Sequence, residues 1–246
     1  MKRLALAVLA LGLFSRLSAA VEATEPLVRA QLIPRSAAIL SAEIAGKIRK
    51  LHVLEGGSFQ KGDVLLSIDD ALQRAQLERA QAVLSAAERT LTANRRLREL
   101  NSVGQIELDV SETEVAKARA EFSYASAMLA KCEIKAPFAG RMAEQRVREQ
   151  EFVQAGQALF EIVDQAPPQI DFIAPSKWLS WLKVGQPLEV MIDETGRQYP
   201  AVLERIGARV DPVSQSIKVV AGVTGVFPDL MPGMSGSVSI SPPKAP

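Results

Sequence analysis

Apolar residues recur every seven positions across residues 70–132, a segment that holds no proline and a single glycine, Gly104. Small residues occupy positions between the large ones, a pattern typical of two closely packed helices. We therefore predict an antiparallel α-helical coiled-coil hairpin that turns at Gly104, with arms about 45 Å long at about 1.5 Å per residue. The large apolar positions are Leu77, Leu84, Leu91, Leu108, Val115, Phe122 and Leu129, and the small ones are Ala80, Ala87, Ala118, Ala125 and Cys132.

Two copies of a second pattern flank the hairpin. Residues 42–68 and 136–162 align without a gap at a constant offset of 94, and nine of their 27 positions are identical. Short alternating apolar runs between glycines indicate β-strands. One copy is too short to bury its own apolar face. We predict that the two copies form one interlocked β-sandwich, in which Gly46 and Gly140 occupy equivalent positions.

Strand-like apolar runs separated by Gly, Pro, Asp and Ser follow the second copy, and such short strands predict a small β-barrel. Ser176 is expected to cap a short helix that contains Trp178. The fold class is therefore α+β, mostly β: a β-sandwich split by a helical hairpin, plus a small β-barrel domain. The strand-like runs are residues 170–174, 188–192, 201–206, 217–223 and 235–240.

The first twenty residues have the features of a secretory signal peptide. Lys2 and Arg3 precede an apolar run at 4–14, which is too short to span a bilayer comfortably, and small residues follow up to Ala20. We predict cleavage after Ala20 and export of the mature chain. Arg16, late in this segment, keeps open the alternative of an uncleaved membrane anchor.

Composition narrows the possible chemistry. The formal net charge of +1 gives no electrostatic case for binding nucleic acid. A single cysteine, Cys132, rules out an internal disulfide, and a single histidine, His52, rules out a two-histidine metal site. The sequence has no P-loop, HExxH, GxSxG or dinucleotide-binding motif, so we expect no enzymatic activity, no cofactor and no metal. We expect Cys132 to be buried and His52 to lie at the surface of a strand.

Three segments resemble one protein family, in the same order along the chain. Residues 45–46 and 57–65 are similar to the first lipoyl half-motif of the HlyD-like periplasmic adaptor proteins, also called membrane fusion proteins, of RND-type efflux pumps. Residues 134–140 (IKAPFAG) resemble the second half-motif, and residues 230–234 (LMPGM) resemble the family's Pro-Gly-Met turn. The β-sandwich would then be lipoyl-like.

The resemblance implies a non-enzymatic adaptor that assembles as an oligomeric ring in the periplasm and associates with the inner membrane through its transporter partner. Such adaptors link an inner-membrane RND transporter to an outer-membrane channel, and their hairpins reach toward that channel. The expected arrangement is a signal peptide at 1–20, an N-terminal strand segment at 21–40, lipoyl-like halves at 41–69 and 133–164, the hairpin at 70–132, the barrel at 165–242 and a tail at 243–246, with the family's membrane-proximal domain absent or reduced.

In this family, a Leu and a following Ser near the hairpin tip commonly meet the outer-membrane channel. Aligning residues 107–109 with the family's equivalent tripeptide places Leu97 at that Leu, Gly104 at the Ser and Ala93 at a usual Arg, so one of three positions is retained. The candidate partner-binding residues at the tip are Arg96, Leu97, Leu100, Val103, Gly104 and Glu107.

Two further features allow two interpretations each. Arg95, Arg96 and Arg98 form a basic cluster, which is either a docking surface for an acidic partner rim or a solvated helix face. Trp178 and Trp181 are either interface anchors or, for Trp178 in particular, part of the barrel core.

Two functions are alternatives to an RND adaptor. One is an adaptor of an ABC-type exporter, which the sequence does not separate well from an RND adaptor. The other is a lipoyl or biotinyl carrier, which would present a modifiable Lys between the sandwich halves. Here the junction begins with Asp69 and Asp70 and leads into the hairpin, so the carrier is disfavoured.

Overall fold

The computed structural model describes residues 28–240, which form two compact units. One unit is Ile33–Pro168, and the other combines residues 28–32 with residues 169–240. The predicted signal peptide and the tail at 243–246 lie outside the described residues. In chain order the elements are β1 (Val28–Ile33), β2 (Ala37–Ser41), β3 (Gly46–Leu51), β4 (Ser58–Phe59), β5 (Val64–Ile68), α1 (Ala71–Glu99), α2 (Gln105–Ala130), β6 (Glu133–Lys135), β7 (Gly140–Gln145), β8 (Phe152–Val153), β9 (Ala158–Asp164), β10 (Gln169–Pro175), a 3₁₀ helix (Ser176–Ser180), β11 (Pro187–Ile192), β12 (Arg197–Asp211), β13 (Ser216–Val223) and β14 (Ser235–Ser239).

The unit Ile33–Pro168 contains a β-sandwich of two four-stranded sheets, ordered β2-β9-β7-β4 and β6-β5-β3-β8. Each sheet takes one short strand from the opposite sequence copy: β4 pairs with β7, and β8 pairs with β3. Gly46 pairs with Val153, and Gly140 pairs with Phe59, so the two pairs are related by the same offset of 94 as the sequence repeat. The interlocked sandwich predicted from the repeat is confirmed.

Both glycines stand at places where the chains approach closely. A Cβ on Gly46 would lie 2.5 Å from Cγ2 of Ile68, and a Cβ on Gly140 would collide with the carbonyl oxygen of Val163 on the neighbouring strand. A side chain therefore has no room at the start of either equivalent strand, β3 or β7. Around them, the buried faces of both sheets share one apolar core, which includes Ile48, Leu65, Met142, Val153, Leu159, Phe160 and Ile162.

The helical hairpin connects β5 to β6, and its helices α1 and α2 have 29 and 26 residues. Leu84 and Leu91 of α1 pack with Val115 and Ala118 of α2, as the heptad pattern predicts. Cys132 is buried as expected, but it belongs to the sandwich core and not to the seam between the helices. No helix among the described residues is long and apolar enough to cross a membrane.

The second unit is a closed six-stranded barrel with the order β1-β10-β13-β12-β11-β14. Five strands were predicted from the sequence, and the sixth, β1, comes from the N-terminal segment and pairs with β14. The predicted Pro-Gly-Met turn holds this strand: Gly233, with φ at +96°, donates to the Leu32 carbonyl at 2.7 Å, and the Leu32 N–H donates to the Met234 carbonyl at 2.8 Å.

The short helix of the barrel differs from the expected one. Pro175, and not Ser176, stands at its N-cap, and no side chain caps it. Trp178 is buried in the barrel core, and the half-buried Trp181 packs beside it with 5.3 Å between ring centroids. The structure therefore favours core packing over an interface anchor for Trp178.

Candidate functional site

The tip of the hairpin begins where α1 ends in a Schellman motif. Asn101 is left-handed, with φ at +52°. Its N–H donates to the Arg98 carbonyl at 2.9 Å, and the Ser102 N–H donates to the Leu97 carbonyl at 2.8 Å. This is the pair of hydrogen bonds that closes a helix C-terminus, and asparagine is among the few residues that tolerate the left-handed region. Asn101 therefore reverses the chain.

Gly104 does not make the turn in the way its residue type suggested. It is the N-cap of α2, with φ at −79° and ψ at 165°, a conformation open to any residue. A Cβ at this position would meet no described atom within 4 Å. The sequence placed the turn in the correct segment, 101–105, and marked it by Gly104, whereas the left-handed backbone conformation belongs to Asn101.

A polar layer closes the seam just before the tip. Asn94 Nδ2 donates to Ser111 Oγ at 2.5 Å, and Ser111 Oγ donates to the Glu107 carbonyl at 2.9 Å. Ser111 is buried although it is polar. This pair was not predicted from the sequence, even though both residues continue the small-residue positions of the heptad pattern.

Of the three tip arginines, two are engaged within the hairpin. Arg95 Nη2 contacts Glu112 Oε1 on the other helix at 2.9 Å, and Arg98 Nη1 donates to the Val103 carbonyl at 3.3 Å. Arg96 is exposed and makes no ion pair within residues 28–240. Arg96 is thus the arginine of the cluster whose side chain has neither an ion pair nor a hydrogen bond among the described residues.

The predicted site residues all lie at this one end of the hairpin: Arg96 and Leu97 in the last turn of α1, Leu100 and Val103 in the connection, Gly104 at the N-cap and Glu107 in the first turn of α2. The carboxylate of Glu107 is favourably placed near the positive end of the α2 dipole. Val103 is half-buried, so it supports the connection more than it faces solvent.

The tip exposes more apolar surface than the sequence analysis named. Leu97 is 40% exposed and Leu100 is 72% exposed. The structure adds Ile106 at 80% and Val110 at 62%, which lie one turn apart on the same face of α2. Both residues could have been identified from the sequence, because neither occupies an apolar position of the heptad pattern and both must therefore point away from the seam.

Other candidate residues lie elsewhere and are explained by their surroundings. His52 follows β3 and is not inside it, and its Nε2 lies 2.9 Å from Ser67 Oγ. Burial raises the pKa of the Cys132 thiol above its usual value, which disfavours the reactive thiolate. Within the described part of the chain, no group of three or more His, Cys, Asp or Glu side chains could hold a metal ion.

Comparison with known proteins identifies the sandwich and hairpin together. Residues 36–165 match the family model described as the barrel-sandwich hybrid domain of RND membrane fusion proteins. This segment contains the interlocked sandwich strands β3 to β9, both helices and the tip described above.

Individual relatives extend the similarity into the barrel. The chain is 27% identical over 193 residues to an uncharacterised protein of Haemophilus influenzae, covering 78% of this chain and 49% of that protein. It is 27% identical over 209 residues to the toluene efflux pump periplasmic linker protein TtgD of Pseudomonas putida, covering 78% of this chain and 54% of that protein. The chain thus spans about half the length of these two relatives.

A solved structure has the same fold. The crystal structure of a MacA–MexA chimera, which contains the Pseudomonas aeruginosa MexA α-hairpin domain, superposes with a TM-score of 0.78 at 20% identity and covers 87% of this chain and 80% of that one. The fold and the family model agree, and the model matches more than half of the sequence. The chain therefore belongs to the family of RND membrane fusion proteins.

Proposed function

We propose that this protein is a periplasmic adaptor subunit of a tripartite efflux pump. It links an inner-membrane RND transporter to an outer-membrane channel, self-associates into a ring and catalyses no reaction. Family membership supports this function, and so does the similarity to TtgD, whose name describes a periplasmic linker of an efflux pump. The match to an RND family model favours an RND transporter over an ABC-type exporter as the partner.

The observation that carries the proposal is the apolar tip of the hairpin, formed by Leu97, Leu100, Ile106 and Val110. These side chains are exposed at the end of a coiled coil about 40 Å long, at about 1.5 Å per residue. A cluster of exposed large apolar residues is typical of an interaction surface. Their distance from the sandwich core leaves them little role in stabilising the fold, so docking accounts for them better.

Arg96 adds a charge to this surface. Because Arg96 has no ion-pair partner in the described structure, it is free to meet a carboxylate on the rim of a channel. An exposed ion pair contributes little affinity, and we assign Arg96 to orientation and the apolar side chains to binding strength.

Site-specific photo-crosslinking in cells tests the docking surface. A photoreactive residue at Ile106 is expected to form a covalent adduct with an outer-membrane channel protein, identified by mass spectrometry. The same probe at Val83, an exposed apolar position in the middle of α1, is the matched control and is expected to give no such adduct. Channel adducts from Val83 and none from Ile106 would place the contact elsewhere and overturn the proposed tip.

Location is tested separately. N-terminal sequencing of the protein from a periplasmic fraction is expected to show cleavage after Ala20 or close to it. Recovery of the intact Met1 species from the cytosol would contradict a periplasmic adaptor, and an uncleaved species in the membrane fraction would support the anchor alternative.

A further inference from the structure

The hairpin joins the sandwich through two short connections. Two residues, Asp69 and Asp70, separate β5 from α1, and two, Lys131 and Cys132, separate α2 from β6. Strands β5 and β6 pair with each other, so both arms leave neighbouring strands of one sheet. The Ile68 N–H donates to the Cys132 carbonyl at 2.8 Å and ties the end of β5 to the second connection. Any tilt of the hairpin must occur at this root.

A buried carboxylate lies at the root. Asp70 is 7% exposed, and each of its carboxylate oxygens accepts one charged hydrogen bond. Oδ1 accepts from Arg49 Nη1 at 2.7 Å, and Oδ2 accepts from Arg74 Nη2 at 2.7 Å. Arg49 belongs to strand β3 of the sandwich and Arg74 to the first turns of α1, so this one carboxylate bridges the two parts.

The bridge involves different residues from the apolar contacts of the root. Arg49 is exposed, whereas its neighbour Ile48 is buried in the core, and Arg49 lies where the pairing of β3 with β5 shifts register. Met128 and Leu129, in the last turn of α2, pack against the sandwich core. The hairpin is therefore held by these apolar contacts, by the Asp70 bridge at α1 and by an exposed ion pair at α2, in which Lys131 Nζ lies 3.6 Å from Glu43 Oε2 of the sandwich.

We propose that Asp70 is a positioning residue, which fixes the direction of the hairpin relative to the sandwich through its bond to Arg49. The length of the hairpin makes direction important. At about 1.5 Å per residue, a tilt of about 10° at the root displaces the tip by about 7 Å, roughly the distance between neighbouring side chains on a docking surface. The consequence for docking rests on the proposed function, whereas the geometry of the hairpin does not.

The exposure of the three side chains of the bridge indicates that the bridge can be removed without unfolding the protein. The Asp70 side chain is 11% exposed, but those of Arg49 and Arg74 are 48% and 60% exposed. Removing the carboxylate leaves two arginines that water can solvate, so no unpaired charge remains buried. Removing Arg49 alone leaves Asp70 paired with Arg74. Both changes should free the hairpin while the fold persists.

Pulsed electron-spin distance measurements on the whole mature chain test this inference. Spin labels are attached at Ile39→Cys on the sandwich and Glu99→Cys near the tip, both exposed positions, and Cys132 is too buried to react. The parent distribution is expected to be narrow. Asp70→Ala and Arg49→Gln are expected to broaden or shift it, and the tip displacement of about 7 Å that a tilt of about 10° produces is the upper limit of the shift.

Two matched variants act as controls. Arg74→Gln removes an arginine from the same carboxylate but leaves the link to β3. Asp69→Ala removes the adjacent exposed carboxylate, which accepts from the Ala71 N–H of α1 at 3.2 Å and makes no link to β3; both variants should keep the parent distribution. If Arg49→Gln also keeps it, the bridge does not set direction and the inference is wrong, even if Asp70→Ala fails to fold. The measurement needs no partner protein, so its failure is distinguishable from failure of the proposed docking.

Discussion

The sandwich and the hairpin tip belong to one compact unit, but the sandwich buries its apolar side chains and the tip exposes them. In the sandwich, Gly46 and Gly140 leave no space for a methyl group, and the surrounding side chains are buried. At the tip, Ile106 and Leu100 are largely exposed, and a Cβ on Gly104 meets open space. Stability is therefore concentrated at one end of the coiled coil, and the surface available to a partner lies at the other end. Substitutions at the two ends should therefore affect different measurements.

The largest effect is expected for Gly140→Ala. The new Cβ would collide with the Val163 carbonyl, a backbone atom that cannot move without disturbing β9, so we expect at least about 2 kcal/mol of destabilisation. Gly46→Ala should cost less, because its Cβ meets the end of the Ile68 side chain. Urea unfolding of purified variants measures both. Gly104→Ala is the control, and equal midpoints for Gly140→Ala and Gly104→Ala would contradict the difference between the two ends.

Leu97→Asp is the matching change at the tip. A charge in an apolar contact costs a few kcal/mol to desolvate, so substrate export in cells should be lost, while Tm should fall by less than about 4 °C. Leu72→Asp places the same charge at an exposed leucine near the root and should export normally. Normal export by Leu97→Asp would show that Leu97 does not dock, whereas a strongly lowered Tm would make it a core residue.

Arg96→Glu should have a milder effect at the same surface. Exposed ion pairs contribute under about 1 kcal/mol, which corresponds to a loss of export of no more than about five-fold. The matched control is Arg89→Glu, a charge reversal at an exposed position in the middle of α1. If Arg96→Glu abolished export as completely as Leu97→Asp, charge and not apolar contact would make the larger contribution to docking.

Acidic pH should reduce the stability that the Asp70 bridge contributes at the root of the hairpin, and this effect should be smaller than those above. Burial raises the pKa of Asp70, but the hydrogen bond from Arg74 and the charges of Arg49 and Arg74 outweigh it, so the pKa lies below its ordinary value of about 4. A carboxyl with a lowered folded-state pKa contributes stability that is fully present above the unfolded-state value and is lost as pH falls through the folded-state value. Unfolding followed from pH 6 to pH 2 should show a steeper acid decline for the parent chain than for Asp70→Asn. Parallel declines would exclude this contribution.

Gly104→Ser should produce the smallest change, and a favourable one. The position is an N-cap with extended backbone and free space, where serine is slightly better than glycine, so we expect a few tenths of a kcal/mol of added stability. Thermal melting against the parent chain measures it. A destabilised variant would mean that the tip needs glycine at this position after all.

The regular elements could be predicted from the sequence, because side chains buried at regular intervals produce a repeating pattern of apolar residues. Leu84, Leu91 and Val115 mark the seam, and the repeat at an offset of 94 marks the sandwich. The sequence did not predict β1 as the sixth barrel strand, because β1 pairs with Gly236 and its neighbours in β14, which lie about two hundred positions later in the chain.

The tip was predicted in location but not in detail. Gly104 marked the turn because it is the single glycine of residues 70–132, yet the left-handed residue of the connection is Asn101. Ile106 and Val110 were missed because an apolar residue off the heptad positions has no packing pattern to identify it. The bridge at Asp70 was missed since its partner Arg49 is near only in space.

The strand exchange in the sandwich also constrains the order in which the chain can fold. Because β4 pairs with β7 and β8 pairs with β3, neither half is complete until the other has arrived. The hairpin lies between them, and its contacts are local in sequence, so it can form early and at low entropic cost. Once formed, it returns the chain beside its starting point at β5 and replaces a long flexible loop with a rigid one. The same coiled coil that separates the tip from the sandwich thus brings the two halves of that sandwich together.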